Sequence, residues 1–151
     1  MVVGNRAQEL IRQIAREPVG LDRTLGVHYE KTGADEVVAT VKIGPQHHQP
    51  LGYLHGGLSL ALAESVASIG ATLNAPDGSA AFGMEINANH VRPFREGLLR
   101  AVGRPLHRGR SSQVWDVQIT DGAGRLICVA RCTLAVVTVD HNPQPETGRP
   151  P

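Results

Sequence analysis

The spacing of apolar residues changes several times along this chain, and the changes mark its elements. Between Arg6 and Arg16, Ala7, Leu10, Ile11, Ile14 and Ala15 recur every three or four residues, which predicts a short amphipathic helix. Pro18 and Gly20 break it. Residues 24–31 and 35–43 then read as strands, joined by a turn at Thr32-Gly33. The second alternates Val37, Ala39, Val41 and Ile43 on one face with Val38, Thr40 and Lys42 on the other. Residues 44–54 form a loop rich in Gly, Pro and His. The run from about Gly56 to Asn74 follows, with Leu58, Leu60, Leu62, Val66, Ile69 and Leu73 spread over every helical phase. A helix apolar all round is a buried helix. The wider window 51–75 holds His55, Glu64 and several Gly and Ser residues, so it reads as a core helix, with no membrane span expected. Strand-like runs cover 80–92, 98–108, 111–121 and 125–139, the last two separated by a turn at residues 121–124. The tail after Asp140 is polar and Pro-rich, and disorder is expected there.

The predicted order is helix, two strands, one long helix, four strands, with no internal repeat. Strands joined by hairpins pair antiparallel, because parallel pairing needs crossovers. Gln113, Trp115, Val117 and Ile119 share one strand face, and Cys128, Ala130, Cys132 and Leu134 share another. Only the helix 56–74 is long and apolar enough to cover them. The expected fold class is therefore α+β, an antiparallel sheet wrapped around one long central helix. Residues 1–22 are assigned to an N-terminal helix and lead-in, 23–139 to the folded domain, and 140–151 to the tail.

Composition narrows the function. A chain of 151 residues fits one domain. A formal charge of +1 and 3% aromatic residues disfavour a polyanion binder or a base-stacking platform, so no nucleic-acid partner is expected. Cys128 and Cys132 lie four apart in one strand, about 13 Å at the rise of a strand. That is too far for a disulfide, and neither sits in a CxxC pattern. Two free core thiols, and an N-terminus without the apolar core of a signal peptide, suit a cytoplasmic protein.

Glu64 is the only titratable residue between Gly56 and Pro76. A carboxylate among apolar side chains is costly unless paired or solvated, which makes it a candidate functional group. At the head of the same helix, His55-Gly56-Gly57 leaves the first backbone N–H groups uncrowded. Those groups lack partners within the helix and, with the helix dipole behind them, can hold an oxyanion. Gly56 and Glu64 are eight residues apart, about 12 Å along the axis. If both act on one carbonyl, a second copy of the chain must bring one to the other, which implies a two-fold dimer.

The stretches HQPLGYLHGGLSLALAESVASIGA, GMEINANHVRPFREG and GRSSQVWDVQITDGAGRLICVARCTLAVV strongly resemble the hotdog-fold acyl-CoA thioesterases. They are similar in particular to the branch with the Arthrobacter-type 4-hydroxybenzoyl-CoA, phenylacetate-pathway and 1,4-dihydroxy-2-naphthoyl-CoA thioesterases. The resemblance spans roughly residues 25–139. It implies that Glu64 is nucleophile or general base at the thioester and that the Gly56 N–H is the oxyanion donor. It further implies that Gln49 and His55 position the thioester and that Ser68, one turn after Glu64, hydrogen-bonds near the attacking water or Glu64. It implies no metal or redox cofactor, an acyl-CoA substrate with an aryl acyl group, and a homodimer assembled into a homotetramer as a dimer of dimers. His47, His48 and His55 do not have a recognised zinc spacing. Tyr53, Leu54, Phe82 and Met84 are placed near the acyl pocket.

Coenzyme A is polyanionic and calls for fixed positive charge. Arg92, Arg95, Arg100, Arg104, Arg108 and Arg110 face only Glu96 between residues 86 and 115. Arginine suits phosphate through its planar fork of donors. By the resemblance, His90, Arg92, Arg108, Arg110 and Ser111 are the CoA contacts, while Arg100 and Arg104 read as solvated strand-face residues. Two alternatives remain: a hotdog hydratase or dehydratase, which uses a differently spaced His and carboxylate, and a non-catalytic acyl-CoA-binding module, which would need no Glu64.

Overall fold

The computed structural model describes residues 6–139; the tail assigned to 140–151 lies outside them. The elements are α1 (Arg6–Arg16), α2 (Gly20–Leu25), β1 (Val27–Thr32), β2 (Val37–Ile43), a 3-10 turn at Pro45–His47, α3 (Gly56–Leu73), β3 (Ser79–His90), β4 (Gly97–Arg108), β5 (Ser112–Asp121) and β6 (Leu126–Thr138). All six strands form one antiparallel sheet in the order β1-β2-β4-β5-β6-β3. α3 packs against every strand, so the expected α+β architecture is present.

The core lies between α3 and the sheet. Val37, Ala39, Val41, Leu62, Val66, Leu99, Trp115, Val117, Ile119, Cys128, Cys132 and Leu134 are all buried in one cluster, as the strand-face patterns predict. α3 is apolar and long enough to cross a membrane by length and composition, yet its Leu58, Leu62, Val66 and Ile69 are buried against the sheet. Helix and sheet approach closely at two glycines. A Cβ on Gly70 would stand 2.1 Å from the Trp115 ring, and one on Gly103 would stand 2.5 Å from Val66. Trp115 itself is fully buried, and its indole N–H donates to Gln113 Oε1 at 3.1 Å. Gln113 in turn donates to the Ala71 carbonyl of α3 at 2.9 Å, so both of these buried side chains are hydrogen-bonded.

Two expectations need correction. The strand expected over 24–31 begins only at Val27, and residues 20–25 are a helix. Pro18 does not prevent this, because it precedes Val19, the N-cap, where no helical hydrogen bond is lost. Gly26 closes α2 in the left-handed region, φ 71°, its N–H bonding back to Arg23 and Asp22. The second correction concerns α3, which is not covered all round. Gly57 and Glu64 are exposed, and Ala61 and Ser68 half-buried, along a single stripe.

β3 is an edge strand, and its side-chain alternation breaks at a bulge. Gly83 opposes Leu134 and Glu85 opposes Thr133, leaving Met84 as the extra residue. Ala81 packs in the core before the bulge, and Ile86 and Ala88 pack against it after the bulge, so the inward parity switches from odd to even.

Candidate active site

The loop before α3 is tied down on both sides. His55 N donates to the His47 carbonyl at 2.9 Å, and Leu54 N donates to the Phe94 carbonyl at 2.7 Å. His55 is the N-cap of α3, its Nδ1 accepting from Gly57 N at 2.9 Å. In the neutral ring that leaves the proton on Nε2. Leu58 N bonds the His55 carbonyl at 3.0 Å. Among the described residues, no acceptor meets the remaining first-turn donor, Gly56 N–H. It opens on a cleft of about 480 Å³ lined by Gln49, Tyr53, Gly56, His90, Arg92 and Phe94. The His90 ring lies directly over Gly56, where a Cβ would come within 2.8 Å of Nε2. Gln49 Oε1 accepts from Leu51 N. Arg92 donates to the Leu126 carbonyl at 2.7 Å, and Arg95 stacks over the Tyr53 ring at 4.2 Å.

Of the expected site residues, Gln49, Gly56, His90 and Arg92 thus share one cleft. His55 does not face it: its ring lines a second cavity with His47 and His48. Glu64 and Ser68 line a third, against α1 and α2. Glu64 is exposed in the single chain, where the sequence suggested a desolvated carboxylate. The side chain lies along β3, touching the bulge at Gly83 and Met84. Arg108, Arg110 and Ser111 sit at the β4–β5 hairpin, outside all three cavities, and Arg108 is paired with Asp35. Arg100 and Arg104 are paired with Glu30 and Glu36. Bonds from Lys31 and Arg104 hold Glu36 below the usual carboxylate range. Phe82 is exposed on the edge strand.

A family model described as the thioesterase superfamily matches residues 51–128. The chain belongs to that superfamily. The matched segment runs from the loop before α3 to the start of β6 and holds Gly56, Glu64, Ser68 and His90. The chain is 42% identical over 118 residues to a 1,4-dihydroxy-2-naphthoyl-CoA hydrolase of Listeria monocytogenes, covering 78% of this chain and 96% of that one. It is 44% identical over 113 residues to the enzyme of that name from Escherichia coli, covering 75% and 83%. A Haemophilus influenzae thioesterase superposes with a TM-score of 0.79 at 35% identity, covering 89% and 93%. A Streptococcus pneumoniae hypothetical thioesterase crystallised with coenzyme A superposes with a TM-score of 0.68 at 26% identity, covering 74% and 89%.

Within this superfamily member, three positions near the site escaped the sequence reading. Arg95 was counted only as charge, although it stacks on Tyr53, a residue that lines the cleft. Leu21 and Asp22 fell in a segment read as a lead-in. Asp22 accepts from Tyr29 Oη at 2.6 Å and from Ser65 Oγ at 2.7 Å, which fixes α2 beside Glu64. The one signal for them was the four-residue spacing of Leu21 and Leu25.

Proposed function

We infer that the chain hydrolyses an acyl-CoA thioester with an aromatic acyl group, in a homodimer whose site joins Gly56 of one protomer to the partner's Glu64. One observation carries this reading. The unpaired Gly56 N–H opens on the cleft with Gln49 and His90, while the only titratable group of α3 lies about 12 Å further along the axis. Neither half is complete in one chain.

The edge strand offers the means of completion. β3 is long and carries exposed Phe82 and Met84, and an uncovered edge of that kind invites pairing. Antiparallel pairing of two β3 strands about the Ile86–Asn87 bond would set Gly83, and hence Glu64, opposite the partner's His90. His90 covers Gly56, so the same register brings the oxyanion donor to the carboxylate.

In that assembly the thioester oxygen takes the Gly56 N–H as its charge develops, the electrostatic term that dominates acyl transfer. Gln49, in the same cleft, orients the thioester, while His55 acts through the helix start, holding the first turn by accepting from Gly57 N. Glu64 takes the proton of an attacking water held with Ser68 and the CoA thiolate leaves, or Glu64 adds to the carbonyl, the thiolate leaves, and water then hydrolyses the mixed anhydride to free the acid and Glu64. His90 and Arg92 line the same cleft as Gly56 and are the donors it would offer to the nucleotide. Arg108, Arg110 and Ser111 supply further donors at the β4–β5 hairpin. The aromatic preference is supported by the naphthoyl-CoA hydrolase names of the relatives. An apolar cavity of about 360 Å³ beside Glu64 is also within the range of small-ligand sites.

Glu64→Gln tests the assignment. With folding and dimer mass intact, release of CoA thiol from benzoyl-CoA should fall by about 10²–10⁴. A folded Glu64→Gln protein with wild-type turnover would refute it.

A further inference from the structure

We propose that Leu21 of α2 sets the depth of the acyl pocket, acting as a partition between two apolar cavities that lie along one groove of α3. The proposal rests on the thioesterase reading above, since it takes Glu64 as the end where the thioester sits. The groove follows the stripe Gly57, Ala61, Glu64, Ser68, which α3 leaves uncovered by the sheet. At one end, Ile11, Ile14 and Ile69 enclose a cavity of about 360 Å³ with Glu64 and Ser68. At the other, Leu25, Leu58, His47 and His55 enclose about 370 Å³. The two cavities share two residues, Leu21 and Ala61. Ala61 presents only a methyl group, so the one bulky side chain on the shared wall is Leu21.

Leu21 is poorly explained as a core residue, being 60% exposed. Its helix is nonetheless held in place. A helix of six residues has little stability of its own, and α2 is fastened through Asp22 to Tyr29 and Ser65, the latter next to Glu64. The helix that carries Leu21 is therefore fixed, and its side chain lines the same cavity as the carboxylate. With Leu21 in place, the pocket at Glu64 takes a compact acyl group of one or two rings. From Glu64 to Gly57 the groove runs about 10 Å by helical rise, about 6 Å of it beyond the wall that Leu21 shares with Ala61, ending at His47 and His55. An elongated, unbranched acyl chain would need that second space.

The test is a ratio, measured by release of CoA thiol: kcat/KM for decanoyl-CoA over kcat/KM for benzoyl-CoA. Leu21→Ala should raise it about tenfold or more, and Leu21→Trp should lower it, the scale expected when a hydrophobic pocket gains or loses room for methylenes. Leu21 is exposed, so both variants should keep the wild-type thermal transition. The same ratio is read as binding affinities in the Glu64→Ala background, which needs no turnover. A ratio that stays within twofold in both measurements overturns the partition. Wild-type turnover by Glu64→Gln, with a ratio that still follows residue 21, would overturn the catalytic reading and leave the partition standing. Loss of turnover in Glu64→Gln with an unmoved ratio would do the reverse.

Discussion

Gly83→Ala offers a way to displace Glu64 without touching it. Gly83 precedes the bulged Met84 of β3, and a Cβ placed there would lie 2.4 Å from Glu64 Oε1 and 3.1 Å from its Cδ. Ordinary contact begins at 3.4 Å, so the carboxylate must withdraw by about 1 Å. The obstacle is the far end of a flexible side chain, and Gly83 is not among the glycines with positive φ. The backbone therefore accepts alanine, and stability should change by less than about 1 kcal/mol, as for most substitutions at exposed positions. A catalytic group misplaced by 1 Å costs on the order of 10² in rate. The expected result is a kcat lowered about a hundredfold with a thermal midpoint close to wild type, measured by CoA release and by calorimetry. Because both changes act on one group, Gly83→Ala in a Glu64→Gln background should add little further loss. A folded Gly83→Ala enzyme with kcat within threefold of wild type would refute the reasoning, as would full additivity in the double variant.

Two further predictions concern stability. Gly70→Ala puts a Cβ 2.1 Å from the Trp115 ring. That ring is fully buried and cannot step aside, so urea denaturation should show a loss of about 1–3 kcal/mol from overpacking; an unchanged midpoint would contradict the packing described. The second concerns alkaline pH. Burial, then the charges of Glu64 and Glu85, push the Cys132 thiol from its usual 9.0 up to about 12. Burial, then the hydrogen bond and charge of Asp22, push the Tyr29 phenol above its usual 10.0. Both groups bind their protons more tightly in the folded chain, so their contribution is whole below pH 9 and is lost as pH rises toward 12. The thermal midpoint should fall above pH 9, and Cys132→Ala should flatten the part between 9 and 12. An identical slope in that variant would count against the assignment.

Much of the fold was legible because its signals are local. The period of α3, the alternation of β2, β5 and β6, and the core positions of both cysteines follow from residues close in sequence. What was not legible depends on residues far apart. Nothing in SAAFGMEINANH says that β3 pairs with β6 and becomes an edge. The bulge at Met84 blurs its alternation, so the strand was recognised but its inward face was not. α2 was missed because Pro18 and Gly20 look like breakers, whereas the stabilising bonds come from Tyr29 and Ser65. Of the Arg-rich segment, Arg108 was assigned to CoA and Arg100 and Arg104 to the solvated strand face, yet acids from β1 and the β1–β2 turn pair with all three. That leaves Arg92, Arg95 and Arg110 outside any ion pair among the described residues.

The exposure of Glu64 changes the argument that first drew attention to it. An apolar helix suggested a carboxylate desolvated by its own chain, but the stripe through Gly57, Ala61 and Ser68 leaves it open. Acyl transfer is served by a water-excluded site, so in the proposed reaction whatever excludes water from Glu64 comes from outside the protomer. The groups able to do so lie on the same exposed strand. Met84 is 61% exposed, and it lies in the same cavity as Glu64. A second β3 laid antiparallel across Ile86 and Asn87 would cover that side chain and the carboxylate together. It would also deliver the cleft that holds the partner's Gly56 to the same point. In the proposed dimer the exposure of Glu64 and the unpaired amide at Gly56 would have a single cause, each half of the site being closed by the other. A Met84→Asp protein that sediments as a monomer and loses turnover together with dimer mass would be the consequence, and a fully active monomer would end the two-chain reading.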